Sequence, residues 1–207
     1  MPTYMPQPAY ADLQNMAIVD PIAAYGIMLG VPRIPISFNA AGTFSSFALD
    51  QVPIEADLDT TIAQRTWIDN LSYSLQLPNC FVGDIFQTQY LYYLKFSTGV
   101  NVQVIVQGGP RYLVSPNFTP LENFVNVMSS RWSAGWPLYK QQSIQVFMEL
   151  VVAPPSVSPN GPPYNVTLTF NGWQFLDHTV DEISVDVAAK KLREMGFCLP
   201  TKQLECP

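Results

Sequence analysis

The chemistry open to this chain turns on few side chains. Its one histidine, His178, stands beside Asp177, a base next to an acid that could orient it. Neighbours on a strand point to opposite faces, so adjacency alone does not make a dyad. No serine lies in a GxSxG elbow, and Cys80, Cys198 and Cys206 have no obvious His and Asn set. Gly108-Gly109-Pro110 lacks the GxGxxG and GxxxxGK(S/T) patterns, and Pro110 removes an N–H that a phosphate would need. It reads as a hairpin turn. Asp69, Asp84, Glu122 and Glu149 are free to meet in space, but two acids meeting in a small fold is common and defines no reaction. We therefore expect no enzyme, no catalytic residue and no cofactor. Three cysteines without CxxC spacing form no zinc site by spacing, and one histidine leaves almost no material for a His-based metal site, so no metal is expected.

An odd number of cysteines is not a disulfide framework, and reduced thiols are expected. In a secretory signal a basic segment precedes the apolar run. Here the first basic residue, Arg33, follows the run from 16 to 31, which Asp20 and Pro21 interrupt. That run also falls short of the roughly 20 residues of a spanning helix. We expect no membrane contact and a chain made or assembled in a cytosol. The glycosylation patterns at Asn70, Asn117 and Asn165 then read as accidents of Asn- and Thr-rich strands.

The elements that would position any site are mostly strands. In residues 164–177, Val166, Leu168 and Phe170 alternate with Asn165, Thr167, Thr169 and Asn171. The same period of two runs through Trp67 to Leu77, Tyr90 to Phe96, Val100 to Gln107 and Ser143 to Val152. Weaker strands are expected over Gly42 to Leu49 and Leu121 to Met128. Parity flips between Phe170 and Trp173, and Gly172 between them suggests a bulge or a corner where the strand changes sheet. The pattern predicts an all-β chain, an antiparallel β-sandwich over 42–176.

Two terminal regions flank it. Residues 1–41 carry six prolines and are expected to form an extended, proline-rich N-terminal arm. Within it, Asp20-Pro21 marks a helix start and Gly30 a stop, enclosing a short helix apolar on every side. Such a helix must lie under something, either its own domain or a neighbouring subunit. Residues 177–207 form a C-terminal tail whose helix follows the capping-box pattern Thr179 to Glu182. Val185, Ala188, Leu192 and Met195 make its apolar stripe, and Gly196 stops it.

Charge then narrows the role. Charged residues make 13% of the 207, about half the usual fraction of roughly 25%. The net charge is −6, against a direct nucleic-acid contact, which needs a basic stripe. The outer positions of the strands are Ser, Thr, Asn and Gln. Such a face can meet another protein without the cost of desolvating ions. Interface cores are poor in charge and rich in aromatics and Arg, which fits Arg131, Trp132 and Trp136. Trp132, Trp136 and Trp173 are also the candidates for a glycan face. For the arm, the expectation is contact with another chain through Tyr4, Tyr10, Tyr25, Ile27, Met28 and Leu29.

The order WIDNLSYSLQL, VNVQVIVQGGPRYL, WPLYKQQSIQVFMELVV and YNVTLTFNGWQF, behind a charge-poor arm, resembles the single jelly-roll or β-sandwich proteins of bacteriophage particles. The resemblance covers residues 42–176. It implies a jelly-roll-like fold and a structural role in the virion, as capsid, decoration, collar or portal-proximal protein. It further implies assembly in the host cytoplasm, with copies of itself and other virion proteins as partners. The alternative is a carbohydrate-binding module on a phage fibre.

Overall fold

The computed structural model describes residues 5, 7–44, 54–56, 64–76, 98–107, 112–113, 117–131, 135–151 and 164–200. Two helices come first, α1 (Tyr10–Val19) and α2 (Pro21–Met28). The strands are β1 (Arg33–Phe44), β2 (Ile54–Glu55), β3 (Thr66–Gln76), β4 (Val100–Gln107), β5 (Tyr112–Leu113), β6 (Thr119–Pro120), β7 (Trp136–Leu138), β8 (Ser143–Leu150) and β9 (Tyr164–Phe175). Helix α3 (Leu121–Arg131) precedes β7, and a 3-10 turn (His178–Glu182) leads to α4 (Val185–Glu194).

All pairings are antiparallel. One sheet, sheet A, has the order β1-β9-β3-β7; the other, sheet B, runs β2-β8-β4-β5, with β6 also on β4. Their inner faces share a core. Ala40, Phe44, Leu71, Val166, Leu168 and Phe170 come from sheet A, and Val102, Val104, Val146 and Met148 from sheet B. The chain is thus an antiparallel β-sandwich with helices added. The alternation that marks β4, β8 and β9 is the alternation of their burial, as a sheet with one face on a core requires.

A second core lies outside sheet A. Trp67, Trp173 and Phe175 project from its outer face at one end and are covered by Leu13, Met16, Ile22, Ile27, Ala188 and Leu192 from the three helices α1, α2 and α4. Helix α2 comes close because it carries Gly26 there; a Cβ on that residue would lie 3.0 Å from Phe175 Cζ. The sandwich is two layers thick along most of β9 and three layers at this end.

That second core corrects the reading of Gly172. β9 pairs with β1 without a register shift from Tyr164 to Phe175, so it neither bulges nor changes sheet. Residues 170 and 173 lie on opposite faces, and both are buried because both faces are covered there. The bulge sits across the ladder, in β3 between Ile68 and Asn70. Gly172 accommodates it: a Cβ would run into the backbone carbonyl of Trp67.

Three further expectations change. Residues 121–131 are helical; Leu121, Phe124 and Val125 are its buried positions, a spacing of three and four rather than two. In place of an extended arm, residues 10–28 form two helices packed on the chain's own second core, and β1 runs across the expected boundary at 41/42. The helix α4 is capped by Ser184, whose hydroxyl accepts from Val187 N–H, and not by Thr179. Asp177 instead caps the 3-10 turn. Asp20 and Pro21 do start α2, and Gly30, at φ 73°, follows its end. The alternating run from Tyr90 to Phe96, the turns at 77–79 and 108–110, and Pro154 to Pro163 lie outside the described residues.

Candidate interaction surfaces

Of the acids with catalytic potential, Glu122 and Asp177 have structural hydrogen bonds. Glu122, in the first turn of α3, accepts from the Thr98 hydroxyl at 2.8 Å. Asp69 stands in the β3 bulge; partial burial pushes its carboxyl up, while a hydrogen bond from its own backbone pulls it back. Asp177 Oδ1 accepts from Thr179 N–H at 2.9 Å, and His178 Nε2 lies 3.4 Å from Gln64 Nε2. Glu149 lies opposite Asn101 in the β8–β4 ladder, and Asp84 falls outside the described residues. Among the described residues, no group of three or more His, Cys, Asp or Glu could hold a metal ion. Cys198 is exposed; Cys80 and Cys206 are outside the described residues.

A buried ionic cluster is the most organised polar feature. Asp20 caps α2 by accepting from Ile22 N–H at 3.1 Å and Ala23 N–H at 3.2 Å with Oδ1. Its Oδ2 accepts from Arg65 Nη1. Arg65 Nε donates to Asp181 at 3.3 Å, and its guanidinium lies 4.8 Å from the centre of the Tyr139 ring. The cluster joins the N-terminal helices, the start of β3 and the turn after β9. Arg33 is a second buried cation, 4.9 Å from the centre of the Trp173 ring, and burial lowers its pKa. Tyr10 extends the tie between the termini: its ring lies 5.0 Å from Phe197 and its hydroxyl donates to Gly196 O at 3.1 Å.

Beyond the second core, the aligned outer positions of sheet A are uncharged. The register aligns Ser37, Asn39, Ala41 and Thr43 of β1 with Asn171, Thr169, Thr167 and Asn165 of β9. On the other side of β9 these meet Asn70, Ser72 and Ser74 of β3. Each is exposed or half-exposed. Thr169 Oγ1 donates to Asn39 Oδ1 at 2.9 Å, and Asn171 Nδ2 to Ser72 Oγ at 3.5 Å. Apart from Ala41, these aligned positions carry hydroxyls and amides, and none of them is ionic.

Apolar exposure concentrates on the terminal segments. Tyr10, Ile18 and Val19 of α1, Met28 and Leu29 at the end of α2, Leu176 after β9, and Val185, Val187 and Met195 in and beside α4 are exposed. Of the expected interface residues, Tyr10, Met28 and Leu29 are therefore open to a partner. Ile27 is buried in the second core and Tyr25 packs partly against it, because α2 turns these side chains onto its own sheet. Tyr4 lies outside the described residues.

The tryptophan expectations fare differently. Trp136 is 5% exposed, edge-on to Phe170 at 6.0 Å. Trp173 is 3% exposed and stacked on Trp67 at 6.2 Å. Neither offers a ring face to a sugar or a partner. Arg131 ends α3, its side chain undescribed, and Trp132 is outside the described residues. Sequence reasoning missed the Asp20–Arg65–Asp181 cluster and β1. The signal for β1 was present, since Ile34, Ile36, Phe38 and Ala40 alternate with Ser37, Asn39 and Ala41.

Fold and surface together define a β-sandwich whose outer face on sheet A aligns uncharged polar positions. Comparison with family models, with curated proteins and with solved structures gives no match. Among the described residues no helix is long and apolar enough to cross a membrane.

Proposed function

We propose that this chain is a structural protein of a virus particle of the bacteriophage kind, held by protein–protein contacts. The observation that carries the reading is the strand order. Among the described residues, with the two-residue β6 set aside, eight strands are arranged first-eighth-third-sixth in one sheet and second-seventh-fourth-fifth in the other. That order supports reading the fold as two interlocked Greek keys, a jelly roll, an architecture used by viral capsid proteins and by lectins. The face of sheet A supports the capsid side of that choice. A field of Ser, Thr and Asn hydrogen-bonds across a protein interface at little desolvation cost, and it carries no ion to be buried unpaired. The lectin alternative needs an aromatic platform, and burial takes Trp136 and Trp173 away from that task. Within the proposal the chain assembles in the host cytoplasm and resides in the virion, beside copies of itself and other virion proteins.

The test is at the level of the particle. The chain, tagged at its C-terminus and expressed during infection, is expected to sediment with a large assembly at a fixed copy number. Recovery only as free chain, with none in the assembled fraction, refutes the role. Binding of the isolated chain on a sugar array would favour the lectin reading instead.

A further inference from the structure

A sheet can be extended only at its edges, and among the described residues three of the four edge strands of this sandwich are short. β2 and β5 have two residues each, and β7 has three with Pro137 at its centre. The fourth edge is β1, a strand of 12 residues at the end of sheet A. Its inner row of backbone groups is engaged by β9, in unbroken register from Arg33↔Phe175 to Phe44↔Tyr164. Among the described residues no strand lies beyond its other row. Edges of monomeric sheets are usually protected by charges, bulges or short length. From Ile34 to Phe44 there is no charge, and Pro35 interrupts only the beginning.

We propose that β1 is an interface between two copies of this chain, paired antiparallel about a two-fold axis so that their four-stranded sheets A run on as one. The sequence of β1 is self-complementary about Ala40. Antiparallel pairing there sets Asn39 opposite Ala41, Ser37 opposite Thr43, Phe38 opposite Gly42 and Ile36 opposite Phe44 of the second copy. Each large inner side chain meets a smaller one or a flat partner, and no like charges oppose one another. This matters for a chain of net charge −6, whose copies repel except where a charge-free surface lets them approach. The pairing also doubles the uncharged outer field. An isologous contact of this kind closes on itself and cannot propagate into a fibre.

Size sets the expected strength. In this register residues 36–44 pair, so the strip is about 30 Å long at roughly 3.3 Å per residue and about 10 Å deep. It buries on the order of 600 Å² over both copies, below the ~1,200 Å² at which stable interfaces begin. A free dimer is therefore weak and is expected at concentrations on the order of 100 µM. Such a contact suits a subunit held by several neighbours at once. The inference rests on the assembly role above for its purpose, though not for its measurement.

Sedimentation of the full chain under reducing conditions, from low to high concentration, tests it against two variants. Asn39→Lys with Ala41→Lys places lysines directly opposite one another in the proposed register. Ser72→Lys with Ser74→Lys adds the same charge to the same face, away from the edge. The wild type and the β3 variant are expected to dimerise reversibly, and the β1 variant to stay monomeric and folded by circular dichroism. Outward-facing backbone amides within residues 36–44 of the wild type should exchange more slowly as concentration rises, a readout that stands even if a variant misfolds. A wild type that stays monomeric with unchanged exchange overturns the proposal. So does a β1 variant that dimerises normally, or loss of the dimer in both variants, which would assign the contact to the broad face. A chain that dimerises through β1 yet joins no particle leaves this inference standing and removes the particle role. A chain found in particles without β1 protection does the reverse.

Discussion

Replacing Asp20 probes how the terminal segments are fixed to the sandwich. The side chain is 3% exposed and does two jobs: it caps α2 through two backbone N–H groups and it pairs with Arg65, whose side chain is 10% exposed. Loss of an N-cap costs about 1 kcal/mol. Breaking a buried pair costs about 3–5 kcal/mol, because the remaining charge stays desolvated. Asp181 remains 3.3 Å from Arg65 and holds the cost near the low end of that range. Asp20→Ala should therefore lose about 4 kcal/mol, the sum of a cap and a partly compensated charge. For a chain of this size that is roughly 8–16 °C in Tm. Asp20→Asn keeps an oxygen for the two N–H groups and should lose about 3 kcal/mol, the pair alone. Asp181→Asn leaves the stronger partner in place and should lose about 1 kcal/mol or less. Urea titration of the four proteins, followed by circular dichroism, measures the series. If Asp20→Asn lies within error of the wild type, or Asp181→Asn costs as much as Asp20→Asn, the cluster does not bind the termini as argued.

Gly172→Ala puts a methyl group into the Trp67 carbonyl, so the loss should reach or pass the ~3 kcal/mol upper end of overpacking; a thermal melt unchanged from the wild type contradicts the close approach. Ile27→Ala should cost about 2–5 kcal/mol in dilute, monomeric protein if α2 packs on its own chain, whereas an arm that docks only on a neighbour would leave the monomer's melt untouched. Deleting residues 1–31 uncovers Trp67, Trp173 and Phe175, and a hydrophobic dye should bind the truncated chain but not the full one. Asp69 has its pKa raised by burial, so its ionised form weakens the fold above that pKa and the penalty vanishes once pH falls below the unfolded value of about 3.9. Asp69→Asn should therefore raise Tm at neutral pH, with the gap closing near pH 3; a gap that widens on acidification has the wrong sign.

The sandwich was legible wherever one face of a strand meets a core and the other meets water. Val102, Val104 and Val106, or Val166, Leu168 and Phe170, announce themselves because burial repeats with the pleat. Legibility failed where a second layer adds burial on the other face. Trp173 and Phe175 looked like a change of direction in the strand, when what changes is the covering above it. It failed again for β1, where Pro32 and Pro35 outweighed an alternation continuing to Phe44. Edge strands tolerate proline at their start, so the signal that argued against a strand was a signal for an edge. In α3, buried positions spaced by three and four within a short segment were read with the wrong period. The Asp20–Arg65 pairing spans 45 positions of sequence, and no local pattern connects them.

The distribution of charge ties these features to a role. Asp177, Asp181, Glu182, Asp186 and Glu194, with Lys190, Lys191 and Arg193, crowd into the segment after β9, while the outer faces of β1, β9 and β3 beyond the second core carry none. A subunit that must stay soluble alone and then lose water on one side needs this division. Stripping ions of water is costly, so unpaired ions belong on the side that remains wet. An apolar docking face would be cheaper to dry, but it would also bind unrelated surfaces before the right neighbour arrived. Hydroxyls and amides lie between these limits: hydrated while exposed, and able to exchange water for a partner's groups only where the geometry matches. In the proposed assembly, a face without charge selects by hydrogen-bond fit, and the edge of β1 is where a second copy would offer that fit to the backbone.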